Sequence, residues 1–71
     1  MKIDVKKLDV LIAHKGLMLK DVAKASDLSE MAFRNIRTGK AVPRLRTIGR
    51  IASALNVSVQ DIILQDEEGD A

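Results

Sequence analysis

Apolar residues recur at intervals of three and four along most of this chain, which is the spacing of one buried face on an α-helix. Two short segments of this kind follow each other between Leu19 and Arg37, with a polar turn at Asp27. Ser29 is well placed to cap the second of these helices. Five apolar residues are spaced so that they face one another across this turn, namely Val22, Ala23, Leu28, Phe33 and Ile36. The pattern predicts a helix-turn-helix.

A further helix is predicted before this pair, from about Asp4 to Lys15. The side chain of Asp4 suits an N-cap, and Gly16 offers the left-handed conformation that commonly ends a helix. The apolar stripe of this helix consists of Val5, Leu8, Leu11 and Ile12. In the turn of the helix-turn-helix, Asp27 stands where glycine is the easiest choice, and aspartate tolerates the left-handed conformation better than most residues.

Two more helices are predicted after a loop that contains Gly39 and Pro43. The fourth runs from about Leu45 to Leu55, with Asn56 as its C-cap, and a fifth begins after Ser58. The inward positions are Leu45, Ile48, Ile51, Ala52 and Leu55 in the fourth helix and Val59, Ile62 and Ile63 in the fifth.

The length of 71 residues is enough for one domain with one small core. The chain has no cysteine, so neither a disulfide nor a thiolate metal site is expected. No signal peptide and no stretch that could span a bilayer is recognisable, so we expect a cytoplasmic protein. The fold class predicted is all-α, a compact five-helix domain over residues 1–65 followed by a disordered acidic tail over 66–71.

Charge is unevenly distributed, although the formal net charge is only +2. No acid lies between Met31 and Gln60, whereas this segment contains every arginine of the chain. Its six cations are Arg34, Arg37, Lys40, Arg44, Arg46 and Arg50. A local basic stripe governs the encounter with a polyanion more than the total charge does. The distribution therefore favours binding to phosphate groups.

Catalytic and metal-binding patterns are missing from the sequence. His14 is the single histidine, and no second ligand stands near it, so no metal site is predicted. The chain has no Ser/His/Asp set, no cysteine nucleophile and no glycine-rich phosphate loop. We therefore expect a protein that is not an enzyme and that needs neither a cofactor nor a small-molecule ligand.

From about Val5 to Leu64 the chain resembles the Cro/cI-type helix-turn-helix family of small phage and bacterial regulators. The residues that carry the resemblance are Val22–Ala23, Leu28–Ser29, Phe33, Ile36, Gly39–Lys40, Pro43, Leu45, Ile48, Ile51–Ala52, Ala54–Leu55, Val57–Ser58 and Ile62. The resemblance implies a lambda-repressor-like bundle of about five helices that binds double-stranded operator DNA, usually as a homodimer. The short chain is similar to the Cro side of the family.

The resemblance also assigns positions to the two kinds of DNA contact. The base-reading positions of the family fall on Glu30, Met31, Arg34 and Asn35. Its phosphate-contacting positions fall on Lys40, Arg44, Arg46 and Thr47, of which Thr47 is equally suited to cap a helix.

Some of these positions depart from the family's usual chemistry. Where the family has Ser or Thr followed by Gln, this chain has Met18 and Leu19, which offer no side-chain hydrogen bond to a phosphate. Met31 cannot pair with a base edge, and Glu30 can accept from cytosine N4 but is unfavourable beside phosphates unless it is paired. If the three apolar side chains are exposed together, they form a patch of the kind that marks protein interfaces. Alternatively one or two of them, above all Leu19, turn into the core.

Three functions are compatible with these residues. The leading one is a Cro-like transcriptional regulator of the repressor type from a phage or mobile element, acting in a genetic switch; the sequence does not determine whether it activates or represses. The second is a modulator or anti-repressor that covers a phage repressor of the same fold with the surface around Met31, while Glu30 pairs with basic groups of that partner. The third, the antitoxin of a toxin–antitoxin pair, rests on analogy of fold alone.

Overall fold

A computed structural model describes residues 2–64 of the chain, which form four α-helices and one 3₁₀ turn. The elements are α1 (Val5–Lys15), α2 (Leu19–Ala25), α3 (Glu30–Arg37), α4 (Leu45–Leu55) and the 3₁₀ turn Val59–Asp61. The acidic tail that we expect to be disordered lies outside the described residues. The all-α class is confirmed, but the count of five helices is not.

The predicted helix boundaries are confirmed where local capping chemistry sets them. Asp4 caps α1 by accepting a hydrogen bond from the backbone N–H of Lys7 at 3.2 Å, and Gly16 ends that helix in the left-handed region at φ +67°. Ser29 caps α3 by accepting from the backbone N–H of Ala32 at 3.0 Å. Each of these two N-caps, Asp4 and Ser29, satisfies a backbone N–H group that has no partner inside its helix.

Within residues 2–64, two residues other than glycine adopt positive φ, and both were expected at the end of a helix or in a turn. Asp27 lies at φ +62° between α2 and α3, and Asn56 lies at φ +59° after α4. In the same turn as Asp27, the backbone N–H of Leu28 donates to the carbonyl oxygen of Ala23 at 2.9 Å. The turn therefore folds back tightly enough for α2 and α3 to pack against each other.

The predicted fifth helix is a single 3₁₀ turn. Ser58 does begin it, because its backbone N–H donates to the carboxylate of Asp61 at 3.0 Å in a capping box. However, Ile62 follows at φ −125° and ψ 3°, which lies outside the helical region, so the helix ends there. Ile62 is fully buried, so the inward position is correct although the helix is not.

The two ends of the described part of the chain pair with each other, which explains the early end of that turn. Ile3 and Ile63 form an isolated antiparallel bridge, and the backbone N–H of Asp4 donates to the carbonyl oxygen of Ile62 at 2.8 Å. These bonds satisfy backbone groups near both ends of the domain. An apolar pair such as Ile62 and Ile63 fits a helix or an extended segment equally well, so the pattern alone does not distinguish them.

The core collects apolar residues from all four helices and from both ends of the described part of the chain. Its buried members are Ile3, Leu8, Ile12, Val22, Ala23, Phe33, Ile36, Ile48, Ile51, Ala52, Leu55 and Ile62. The prediction for Leu45 was wrong: this side chain is 67% exposed, because the buried stripe of α4 begins only at Ile48. Ser26 is the buried polar residue, and its hydroxyl donates to the carbonyl oxygen of Val22 at 2.7 Å.

Phe33 lies on α3 but faces the core, where it is 2% exposed. We expect Phe33→Ala to lower the free energy of unfolding by about 3–5 kcal/mol, because it removes the largest buried side chain and leaves a cavity. Met31→Ala is the matched control, since Met31 is on the same helix and 62% exposed. Urea unfolding followed by circular dichroism measures both variants. Equal midpoints for the two would show that Phe33 is not part of the core.

Candidate nucleic-acid interface

The four predicted base-reading residues lie on α3, and most of them point away from the core. Glu30, Met31 and Arg34 are exposed, and Asn35 is half-buried. Glu30 and Arg34 are four residues apart, so their side chains share one face of the helix. The buried Phe33 and Ile36 occupy the opposite face of α3. The helix therefore presents a mixed surface with one acid, one thioether and one guanidinium.

A groove runs between the outer face of α3 and the start of α2. It is lined by Leu19, Lys20, Glu30, Met31, Phe33, Arg34 and Arg37. Three of the four predicted base readers therefore share one groove, and Asn35 is the one outside it. Lys20 and Arg37 are not among the predicted DNA-contacting positions, although Lys20 directly follows Leu19 on the first turn of α2 and Arg37 belongs to the basic segment between Met31 and Gln60.

The apolar side chains that replace the family's polar pair are exposed. Met18 is 58% exposed, Leu19 is 41% exposed and Met31 is 62% exposed. The alternative in which Leu19 turns into the core is therefore wrong. Met18 is the N-cap residue of α2, and no side-chain hydrogen bond caps that helix. We call these three residues the apolar patch.

Two of the six cations in the arginine-rich segment are held by acids from elsewhere in the chain. Arg37 on α3 makes a bidentate pair with Asp9 on α1, with Nε to Oδ1 at 2.9 Å and Nη2 to Oδ2 at 3.1 Å. Arg50 on α4 pairs with Asp27 in the turn, with Nη1 to Oδ2 at 3.3 Å. These partners lie 28 and 23 residues away in sequence. Because acids from distant parts of the sequence pair with two of these cations, the segment has less free positive charge than its sequence alone indicates.

The pair with Asp9 raises the pKa of Arg37 above its ordinary value. The cause is chiefly the side-chain hydrogen bond, with burial lowering the pKa and the charge of Asp9 raising it further. A cation with a raised pKa in the folded state stabilises the fold fully below its ordinary pKa. This stabilisation is lost only in strong alkali. Arg37 therefore keeps its charge near neutral pH, and the contact between α3 and α1 that depends on this charge is kept as well.

Four cations remain without an acidic partner within residues 2–64: Arg34, Lys40, Arg44 and Arg46. All four are exposed. They include three of the four predicted phosphate contacts, and the fourth, Thr47, is half-buried near the start of α4. An exposed and unpaired cation is free to exchange its water for a phosphate oxygen, so this set provides the electrostatic basis of a nucleic-acid surface.

The end of α3 fixes the position of the basic loop that follows it. The carbonyl oxygen of Asn35 accepts from the backbone N–H groups of Lys40 at 2.9 Å and Ala41 at 3.0 Å. Gly39 permits this closure because it adopts φ +82°. Lys40 is therefore held next to the exposed face of α3 by backbone bonds that do not involve any side chain.

The start of α4 completes this basic surface. Arg44 is the N-cap residue, and no side-chain hydrogen bond caps the helix, so Thr47 does not serve as a cap. The first N–H groups of α4 are therefore left without a side-chain partner, beside the exposed Arg44 and Arg46. Such a helix start, flanked by arginines, suits a phosphate oxygen.

The described part of the chain contains no group of three or more His, Cys, Asp or Glu side chains that could hold a metal ion. Among its helices, none is long and apolar enough to cross a membrane. His14 is an exposed residue in the last turn of α1.

The helix-turn-helix and the basic surface beside it define a DNA-binding class of protein, and the comparison of sequences agrees. Residues 7–65 match the family described as the Cro/C1-type HTH DNA-binding domain. The chain belongs to this family. A comparison with curated proteins gave no significant match.

Solved structures of two regulators are similar to this chain. One is the restriction-modification controller protein C.AhdI from Aeromonas hydrophila, with a TM-score of 0.76, 24% identity, and coverage of 80% of this chain and 86% of that chain. The other is the clp gene regulator ClgR from C. glutamicum, with a TM-score of 0.74, 26% identity, and coverage of 80% and 74%. These neighbours support the helix-turn-helix fold.

The unpaired cations should determine how strongly DNA binding depends on salt. Replacing both Arg44 and Arg46 by Ala should make the slope of log K against log salt less steep by about 0.9 for each phosphate that is no longer neutralised. Arg50→Ala is the control, because Arg50 is already paired with Asp27. Fluorescence anisotropy with one duplex at several salt concentrations measures the slopes. The placement is refuted if the double variant keeps the wild-type slope or if Arg50→Ala changes it equally.

Proposed function

We propose that this protein is a sequence-specific DNA-binding transcriptional regulator of the Cro/repressor type, derived from a phage or mobile element. It inserts α3 into the major groove of a double-stranded operator in the cytoplasm. The observation that carries the proposal is the set of exposed cations without acidic partners within residues 2–64, namely Arg34 on α3, Lys40 in the loop that follows it, and Arg44 and Arg46 at the start of α4. Binding, rather than catalysis, is the activity.

In this proposal, the two parts of the surface have separate tasks. Lys40, Arg44 and Arg46 neutralise phosphates and fix the position of the domain on the duplex, which gives affinity without sequence preference. Arg34 and Asn35 read bases, since a guanidinium pairs with guanine and a carboxamide pairs with adenine. The backbone bonds from Asn35 to the loop keep the two parts in a fixed relation.

A single α3 of eight residues can reach only a few base pairs. Regulators with this motif gain a longer site by binding as dimers, with two reading helices about one DNA turn apart. We therefore propose that the protein binds as a homodimer to an operator with two related half-sites. Occupation of that operator would exclude other proteins from the same DNA, which is the simplest form of repression.

Asn35→Ala provides a clean test of base reading, because the contacts from Asn35 to the loop use its backbone carbonyl and survive the substitution. We expect the variant to lose its preference for adenine at one operator position, a discrimination of about 1–3 kcal/mol. Gln60→Ala, which removes an exposed carboxamide outside α3, is the control. Binding to a panel of single-base operator variants measures both. Uniform weakening on every sequence would argue against base reading.

A second function is favoured by the apolar patch. Met18, Leu19 and Met31 are all exposed, and two of them line a groove with Glu30. An apolar centre with a charged rim is a common layout of protein interfaces. The protein would then be a modulator or anti-repressor that covers the DNA-binding helix of a phage repressor of the same fold. Glu30 would pair with the basic groups that such a repressor directs at DNA.

Calorimetric titration of two variants separates these functions. If the patch binds a repressor, Met31→Ala and Glu30→Lys should both weaken the complex with the purified repressor of the same phage. Glu30→Lys should also strengthen non-specific DNA binding, because it replaces repulsion by attraction to phosphate. Glu30→Gln is the control that removes only the charge. Wild-type affinity for the repressor, combined with altered operator binding, would exclude the second function.

A further inference from the structure

The groove between α2 and α3 contains an arrangement that the proposed function leaves unexplained. Leu19 from α2 and Met31 from α3 supply apolar walls, and Arg34 lies in the same groove. Leu19 is 41% exposed and Met31 is 62% exposed, so both are available to a ligand. A DNA-reading surface gains nothing from apolar side chains unless they meet an apolar group on the DNA.

The major groove presents one such group, which is the methyl on C5 of a pyrimidine. Elsewhere the base edges carry hydrogen-bond donors and acceptors, and an apolar side chain placed over these would leave them without water or a partner. Leu19 and Met31 therefore discriminate in favour of a 5-methylpyrimidine and against the other base edges. Thymine and 5-methylcytosine both carry this methyl group.

Arg34 determines what must lie next to that methyl. It is three residues after Met31 on α3, so the two side chains are neighbours on the helix surface. Arg34 has no acidic partner within residues 2–64, and its guanidinium is therefore free for the O6 and N7 acceptors of guanine. One helix position thus favours a methyl group while its neighbour on the helix surface favours guanine.

We propose that this groove reads a 5-methylpyrimidine next to a guanine, with Leu19 and Met31 contacting the methyl and Arg34 contacting the guanine. The inference rests on the proposed DNA-binding function and makes its specificity concrete. Charge complementarity supports DNA as the occupant, since Lys20 and Arg34 line the groove and the unpaired Lys40, Arg44 and Arg46 lie beyond it. Glu30 accepts from the N4 amino group of a cytosine, which 5-methylcytosine retains and thymine lacks.

The test begins with selection of binding sites from random-sequence duplexes. One selected duplex is then synthesised in four forms, with thymine, deoxyuridine, 5-methylcytosine or cytosine at the position before the guanine and the complementary base opposite. Anisotropy titrations should give tighter binding for each methylated form than for its unmethylated counterpart, by about four-fold for one buried methyl. A larger methyl effect in the cytosine pair than in the thymine pair identifies 5-methylcytosine as the preferred source, and the reverse identifies thymine.

Met31→Ala should reduce this methyl effect to less than about two-fold, because it removes most of the apolar surface that covers the methyl. Val42→Ala is the matched control, because Val42 is an apolar side chain that is 74% exposed and does not line the groove. This variant should keep the full methyl effect of the wild type. Circular dichroism confirms that both variants are folded, which is expected since both positions are on the surface.

The outcomes distinguish this inference from the function on which it rests. Tight binding that is equal on methylated and unmethylated forms leaves the DNA-binding function in place and overturns the inference. Selection of sites in which no pyrimidine adjoins a guanine overturns it as well. If no duplex is bound under any condition, the DNA-binding function fails together with the inference. Equal binding, combined with loss of repressor binding in Met31→Ala, assigns the patch to a protein partner.

Discussion

Phe33 lies in the core together with side chains from α2 and α4, and its burial fixes the rotation of α3 about its own axis. Opposite sides of a helix carry different residues. Because Phe33 and Ile36 face the core, Glu30, Met31 and Arg34 face outward. The identity of the exposed surface is therefore a consequence of packing. Any residue introduced on the outer face is presented in the same direction as long as this ring remains buried.

Ion pairs with acids determine which arginines of α3 remain available to bind a partner. Arg37 belongs to the same helix as Arg34, but its bidentate contact with Asp9 ties α3 to α1. Arg34 has no acidic partner within residues 2–64 and is exposed. Two arginines one turn apart thus have different roles, one joining helices and one facing a partner. The pair between Arg37 and Asp9 is partly buried, and besides joining the two helices it removes one cation from the free charge of α3.

Features that depend on a few neighbouring residues could be predicted from the sequence, and features that depend on distant residues could not. The caps at Asp4 and Ser29 follow from local chemistry and were confirmed. By contrast, the acid that pairs with Arg37 comes from another helix, and no local pattern identifies it. The extended segment at Ile63 depends on pairing with Ile3 at the other end of the domain. The binding roles of the outer-face residues remain predictions, because position on a helix does not determine which molecule lies opposite.

The bridge between Ile3 and Ile63 has a consequence for engineering and for evolution. It brings the beginning and the end of the described domain to the same point on its surface. Domains whose ends meet in this way tolerate insertion into other proteins and joining of their ends, since neither change stretches the fold. Two copies encoded in tandem on one polypeptide could thus be joined without loosening either core, and a rearranged order of the helices could preserve the same reading surface.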